Sequence, residues 1–418
     1  MVRTVVVIAG AVALALGAAG VAFVGGRQDQ SELISAPSTS DATLPPRAPS
    51  TTVVEEQAVG LPSHLAHLEG RWETNWTVRT IDLEELRVGV PAPDPRDAIP
   101  PIDQPVFESV STASEWLADR EPGLLLSLDG AARFYPLRIL TLHEVVNDEI
   151  AGTPIVVTFC PLCNTGVAFE RGFEGQVLRF GVSGLLRNSD LVMWDDATVS
   201  LWQQITGEAI VGDLAGNRLA PVPTSIVRWA DFKDSFPEGE VLSRDTGIYT
   251  PGSYGINPYE YYSSQNRPLS FFRGEIDDRY PALERVVGVT IGDAAKAYPF
   301  SEIAEVRTVN DVVGSTPIVV LWGAEDTADA LDSQVIALGR SIGTGLAFSR
   351  VVDGKELTFT AVDDTTFIDD QTRTTWNILG RAVAGPLEGT QLETVIHRNE
   401  FWFAWQAFFP EAPVFAGD

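Results

Sequence analysis

The chain has 418 residues, 57 of them acidic and 29 basic, for a formal charge of −28. That balance excludes a nucleic-acid partner, because phosphate binding needs a basic surface. A hydrophobic fraction of 44%, with 10 Trp and 20 Phe, excludes wholesale disorder. Two cysteines exclude a disulfide scaffold and a four-cysteine iron–sulfur cluster.

Residues 1–26 read as a transmembrane anchor or a signal peptide. Arg3 gives a positive flank, and Val5 to Val24 is an uncharged run rich in Val, Ala and Leu. At 1.5 Å per residue this run covers about 30 Å, the thickness of a bilayer core. A cleavable signal has a shorter apolar stretch of about 7–15 residues, so a retained single-pass anchor is favoured. Either reading puts the body on the extracytoplasmic side. Residues 27–60 are rich in Ser, Thr and Pro and predict a disordered tether. His64 and His67 follow, as a metal pair or as a solvated helix face.

The next feature is an internal repeat. The segment from Ala132, "ARFYPLRILTLHEVVNDEIAGTPIVV", matches "AKAYPFSEIAEVRTVNDVVGSTPIVV" from Ala295. "TGVAFER" at Thr165 matches "TGLAFSR" at Thr344 after an insertion, and "WADFKDSFP" at Trp229 matches "WFAWQAFFP" at Trp402. Each copy predicts a strand hairpin, a helix of about ten residues after Pro, an apolar strand and a second hairpin ("TGVAFERGFEGQVLRFGVSG" in the first copy). A Trp-containing segment and a short amphipathic helix close the unit. The expected fold is α+β: two duplicated, strand-rich domains, 110–250 and 280–418, packed as pseudo-symmetric halves. Residues 251–279, rich in Tyr, Gly and Pro, form an ordered crossover between them.

Residues found in one copy alone are candidates for function. Cys160, Cys163, His143 and Met193 all fall in the first copy. Aligned through the flanking motifs, Cys160 meets Gly339, Cys163 meets Ile342 and His143 meets Val306. "TFCPLCNTG" follows an apolar strand, so its cysteines sit at a strand end. Pro161 favours a tight turn and Asn164 tolerates a left-handed backbone, which turns both sulfurs to one point. No second cysteine pair exists, so a metal would need His143, Met193, a carboxylate such as Glu144, or solvent to complete its shell. Thiolate, imidazole and thioether together favour copper, with zinc the competitor. Thiol–disulfide chemistry is the alternative, although the β-branched sequence after Cys163 lacks the helix of a thioredoxin-type pair. Buried free thiols as core filler are a third reading.

The polar stretch after Gly184 supplies pocket candidates: Arg187, Ser189 and Asp190, with Asn188, Gln203 and Gln204 around them. Asp195 and Asp196 are adjacent, which points them apart on a strand. Ser200 has no nucleophile elbow, and no phosphate loop or dinucleotide fingerprint is present. The block "HEVVND…GTPIVVTFCPLCNTGVAFER", with "FGVSGLLRNSDLVMWDDATVSLWQQITGEAIVG" and "YGINPYEYY", resembles the domain of unknown function 3179 family over about residues 110–415. The resemblance implies an extracytoplasmic habit and a motif that includes His143, Cys160 and Cys163, with no activity attached. The expectation is a membrane-tethered protein with a Cys/Cys/His copper-like site. Its alternatives are a thiol redox protein and a non-catalytic module that binds a small ligand or an envelope protein.

Overall fold

The computed structural model describes residues 60–417 except Asn266. The expected anchor and nearly all of the linker lie outside the described residues. Among the described residues no helix is long and apolar enough to cross a membrane.

Strands dominate, as the β-branched, alternating sequence predicts. In the first half β1 (Pro122–Leu128) and β2 (Ala131–Pro136) form a hairpin. Its turn residues Asp129 and Gly130 both have positive φ, the geometry that Asp-Gly favours between twisted strands. Helix α1 (Leu137–His143) follows Pro136 and is shorter than the expected ten residues. The reason is Glu144, which takes a left-handed φ of 60° and bonds its N–H to Leu140 O, ending the helix one turn early. The chain then enters β3 (Val145–Ile150), β4 (Thr153–Cys160) and β5 (Thr165–Glu170), an antiparallel sheet.

The expected hairpin over 165–184 is divided. After β5 and a two-residue ribbon, β6 (Phe180–Arg187) leaves for another sheet and pairs with β7 (Asp190–Asp195). Strand β8 (Thr224–Arg228) returns to pair with β1, and helix α2 (Trp229–Ser235) closes the half.

The second half runs the same element order. It has the hairpin β9 (Arg285–Ile291) and β10 (Ala294–Pro299), then helix α3 (Phe300–Val306). The sheet β11 (Thr308–Val313), β12 (Thr316–Gly323) and β13 (Thr344–Ser349) follows. Strand β14 (His397–Phe401) pairs with β9, and helix α4 is Trp402–Phe408. Arg307 ends α3 in the same left-handed conformation as Glu144, at φ 60°.

Matching buried pins hold each half. Tyr135 and Tyr298 donate to Asp148 and Asp311. Trp202 and Trp376 donate their indole N–H to Asp195 and Asp369. The apolar cores run across the boundary between halves. Phe134, Trp229, Phe348 and Trp376 belong to one cluster, while both cysteines share another with Leu331, Phe401 and Phe403.

Asn147 bridges two sheets by acting as a peptide group. Its Nδ2 donates to Phe180 O at 2.7 Å and its Oδ1 accepts from Phe180 N at 2.9 Å. Asn310 does the same with Phe359 at 2.9 and 2.8 Å. Truncating either leaves backbone groups without partners. Asn147 is buried, whereas Asn310 is an exposed residue whose bonds to Phe359 are only partly buried. We expect Asn147→Ala to lose about 2–3 kcal/mol of stability in urea unfolding and Asn310→Ala clearly less. Equal losses would contradict the role of burial.

Candidate metal centre

The cysteines lie on the turn between β4 and β5. Cys160 is the last residue of β4 and pairs with Thr165. Pro161 O accepts from Asn164 N at 3.3 Å, and Asn164 has φ 55°, the left-handed residue that the sequence suggests. The turn is fixed from outside as well. Cys163 O accepts from Phe401 N at 2.9 Å, Leu162 O from the Tyr262 hydroxyl at 2.8 Å, and Asn399 O from Asn164 Nδ2 at 3.0 Å.

A second turn meets the first. Arg187 pairs with Asp190 across Asn188 and Ser189, both with positive φ, in a two-residue hairpin turn. It brings Ser189 O to 3.7 Å from Cys160 Sγ and starts β7 with Asp190. One ligand atom from each of Cys160, Cys163 and Asp190 falls within 4.8 Å of the other two. All three residues are buried, at 2%, 0% and 0% exposure. Neither cysteine is in a disulfide.

Asp190 Oδ2 accepts from Gln203 Nε2 at 2.6 Å and from Ile205 N at 3.0 Å. Its Oδ1 is buried with no partner, as is Ser189 Oγ. Among the described residues Asp190 makes no ion pair. Burial raises its carboxyl to about 7, against the opposing hydrogen bonds of Gln203, Ile205 and the Cys160 and Cys163 thiols. Burial raises the Cys160 thiol, and it raises the Cys163 thiol well above the ordinary value. Glu144 lies against the same group. Its carboxyl is pushed to about 7 by burial, a Tyr259 hydroxyl bonds it at 3.2 Å, and the Asp190 charge pushes it further.

The other sequence candidates are placed differently. His143 Nδ1 lies 2.7 Å from Pro100 O and Nε2 2.8 Å from the Tyr254 hydroxyl. A carbonyl only accepts, so Nδ1 carries the proton and the Nε2 lone pair takes the Tyr254 O–H. Burial lowers His143 to about 4, which keeps it neutral. The three-residue group therefore contains Asp190 where the sequence reading put imidazole. Met193 is fully buried, paired with Val182 and Trp202 in the ladder. Arg187 is drawn off by Glu85 at 2.7 Å and reaches Gln203 at 3.4 Å. His64 bonds Leu86 O at 2.9 Å, outside the cluster. Tyr259 and Tyr262, absent from the sequence candidates, come from the Tyr-rich crossover, whose composition was the available signal.

The register also corrects one alignment. Cys160 faces Thr165, and in the second half Gly323 faces Thr344. The counterpart of Cys160 is thus Gly323, not Gly339, because the insertion begins after the strand ends. A Cβ at Gly323 would lie 1.9 Å from Asp364 O, so no side chain fits there. Arg307 holds the place of Glu144 and bonds Glu325, whose N–H is accepted by Asp364.

These features define a strand-rich protein with a buried cluster of two thiols and one carboxylate. The chain belongs to the family described as "Protein of unknown function (DUF3179)", which matches residues 96–412. No curated protein and no solved structure matches it.

The raised Asp190 value has a measurable sign. Between the ordinary carboxyl value of 3.8 and about 7, the native state keeps a proton that the unfolded chain has lost. Stability of the metal-free protein therefore falls as pH rises through that window and levels off above it. In chelator, we expect Asp190→Asn to reduce the fall between pH 5 and pH 8 by about 2 kcal/mol in denaturant melts. An identical pH slope in the variant would contradict an uncompensated buried carboxyl.

Proposed function

We propose that Cys160, Cys163 and Asp190 hold one thiophilic metal ion, zinc before copper. The observation that carries this reading is the convergence of three buried donors around an Asp190 oxygen that has no partner. A metal of charge +2 offsets the thiolates and carboxylate that burial otherwise keeps protonated. Zinc bonds of about 2.0–2.3 Å imply tetrahedral donor separations of roughly 3.3–3.8 Å, within reach of the observed grouping by small side-chain adjustments. A preference for copper requires imidazole and thioether donors, and neither belongs to this group. Two thiolates with a carboxylate oxygen are a borderline set that suits zinc better than Cu(I). Ser189 Oγ or a water molecule would supply a fourth donor. With the group wholly buried, the ion orders the junction of two turns and acts as a structural or stored metal.

A second reading is thiol–disulfide exchange, supported by two free, adjacent thiols that are the only ones in the chain. Burial raises both thiols and slows attack by them, so the metal reading takes precedence. The wider setting in this proposal is an envelope protein: residues 1–26 anchor it, the linker spaces it from the membrane, and two copies of one unit (110–250 and 280–418) form the body. The parallel element order and matching Tyr–Asp, Trp–Asp and Asn pins support the duplication. A small ligand or an envelope protein as partner is the remaining, non-catalytic reading.

Metal analysis of the full chain, after exposure to zinc and copper and extensive dialysis, addresses the proposal. We expect about one zinc per chain, near-complete loss in the Cys160→Ser/Cys163→Ser variant, and affinity weakened at least about tenfold in Asp190→Asn. Equal metal in wild type and the double variant would reject the site.

A further inference from the structure

The donor group is buried, and three of its sides are built from paired strands. Strand β4 is laddered to β3 and β5, β7 to β6, and β14 to β9. Opening those sides would break sheet hydrogen bonds. The remaining side is irregular chain, formed by Asn257–Ser264 of the crossover and Asp329–Leu338 of the second-half insertion. Tyr259, Tyr262 and Leu331 pack from it onto the cluster that contains both cysteines.

These two segments are bonded chiefly to each other. Asn257 N donates to Gln334 O at 2.8 Å and Asn257 Nδ2 to Ser333 O at 3.0 Å. Tyr261 N donates to Asp332 O, Ser263 N to Leu331 O, and Ser263 Oγ to Asp329 Oδ2 at 2.7 Å. Two phenols reach down to the site: Tyr259 to Glu144 and Tyr262 to Leu162 O. Outside, Ile256, Tyr261 and Leu338 are solvent-exposed. The piece is internally tied and anchored at its margin by the buried Arg285–Asp329 ion pair and by Arg120 Nη1 donating to Ala337 O. Over the site itself it is held by the two hydroxyls and apolar packing.

We propose that Asn257–Ser264 and Asp329–Leu338 form one cover over the Cys160/Cys163/Asp190 group, latched by the Tyr259 and Tyr262 hydroxyls, and that its opening sets the rate at which an ion enters or leaves. The proposal rests on the metal reading for its ligand. In this arrangement the second half has grown, at the position of the first half's Cys turn, the segment that closes the first half's site. Where the first half turns from Cys160 to Thr165 through Pro161–Asn164, the second runs from Gly323 to Thr344 through the insertion.

The full chain loaded with zinc is mixed with an excess of a colorimetric chelator, 4-(2-pyridylazo)resorcinol, and release is timed. Tyr259→Phe and Tyr262→Phe are each expected to speed release about fivefold to tenfold, and the double variant by about the product. Tyr261→Phe, whose ring faces solvent, keeps the wild-type rate. The same variants are examined metal-free with 5,5′-dithiobis(2-nitrobenzoic acid), which labels Cys160 and Cys163 when the cover opens. Labelling should accelerate by the same factors. Unchanged release and labelling in folded Tyr259→Phe and Tyr262→Phe proteins, judged by near-ultraviolet circular dichroism, would overturn the cover. A wild-type chain that takes up no zinc overturns the metal reading and the gating of an ion with it. The thiol rates, read without metal, tell that failure apart from failure of the cover.

Discussion

A carboxylate buried without a cation is the constraint on which the site depends. Taking an ionised group out of water is expensive unless charge or hydrogen bonds replace the solvent. At three other buried acids this fold meets that demand with arginine. Glu121 is held by both ends of the Arg138 guanidinium at 2.7 Å, Asp148 by Arg133, and Asp329 by Arg285. Asp190 is as deeply buried, yet its close partners are a Gln amide and one backbone N–H, with only the two neutral thiols beside its other oxygen. Two thiols stand in the place where an arginine would neutralise it. The protonated state is the resting solution available to the metal-free protein, and a bound cation is the other.

The second half places an arginine at the same corner. Arg307 replaces Glu144, Gly323 replaces Cys160, and Asp364 keeps its five-residue spacing to Asp369 as Asp190 does to Asp195. There the acid accepts a backbone N–H from Glu325, and Arg307 pairs with that glutamate's side chain. The left-handed residue that ends each short helix is common to both, so the backbone cradle is a property of the fold. The difference lies in two side chains, Glu144 against Arg307 and Cys160 against Gly323, and in the insertion that follows Gly323.

Much of the architecture could be read from the residues alone. Asp-Gly turns, the apolar β-branched run before Cys160 and the left-handed Asn164 each imply local geometry through φ preferences or periodicity. What could not be read was the assignment of strands to sheets. The stretch from Thr165 to Gly184 alternates like one hairpin, and alternation is blind to partner. The structure divides it, because Phe180 is claimed by Asn147, a contact between positions far apart in the chain. Helix length was overestimated for a similar reason. Glu144 is a good helix former, and the carbonyl it supplies to Phe159 N from a left-handed conformation is a tertiary demand.

Comparison of the two halves marks His143 through its absence from the second. That comparison finds residues whose identity changed. It is weak for a residue whose identity is retained while its surroundings change, which is the case for Asp190 and Asp364. His143 did change, to Val306, but its ring is consumed by Pro100 O and the Tyr254 hydroxyl, so the change follows packing around the crossover. What sets Asp190 apart is an oxygen without a partner beside two buried thiols. That is a property of three-dimensional neighbours, which neither an internal nor an external sequence match displays.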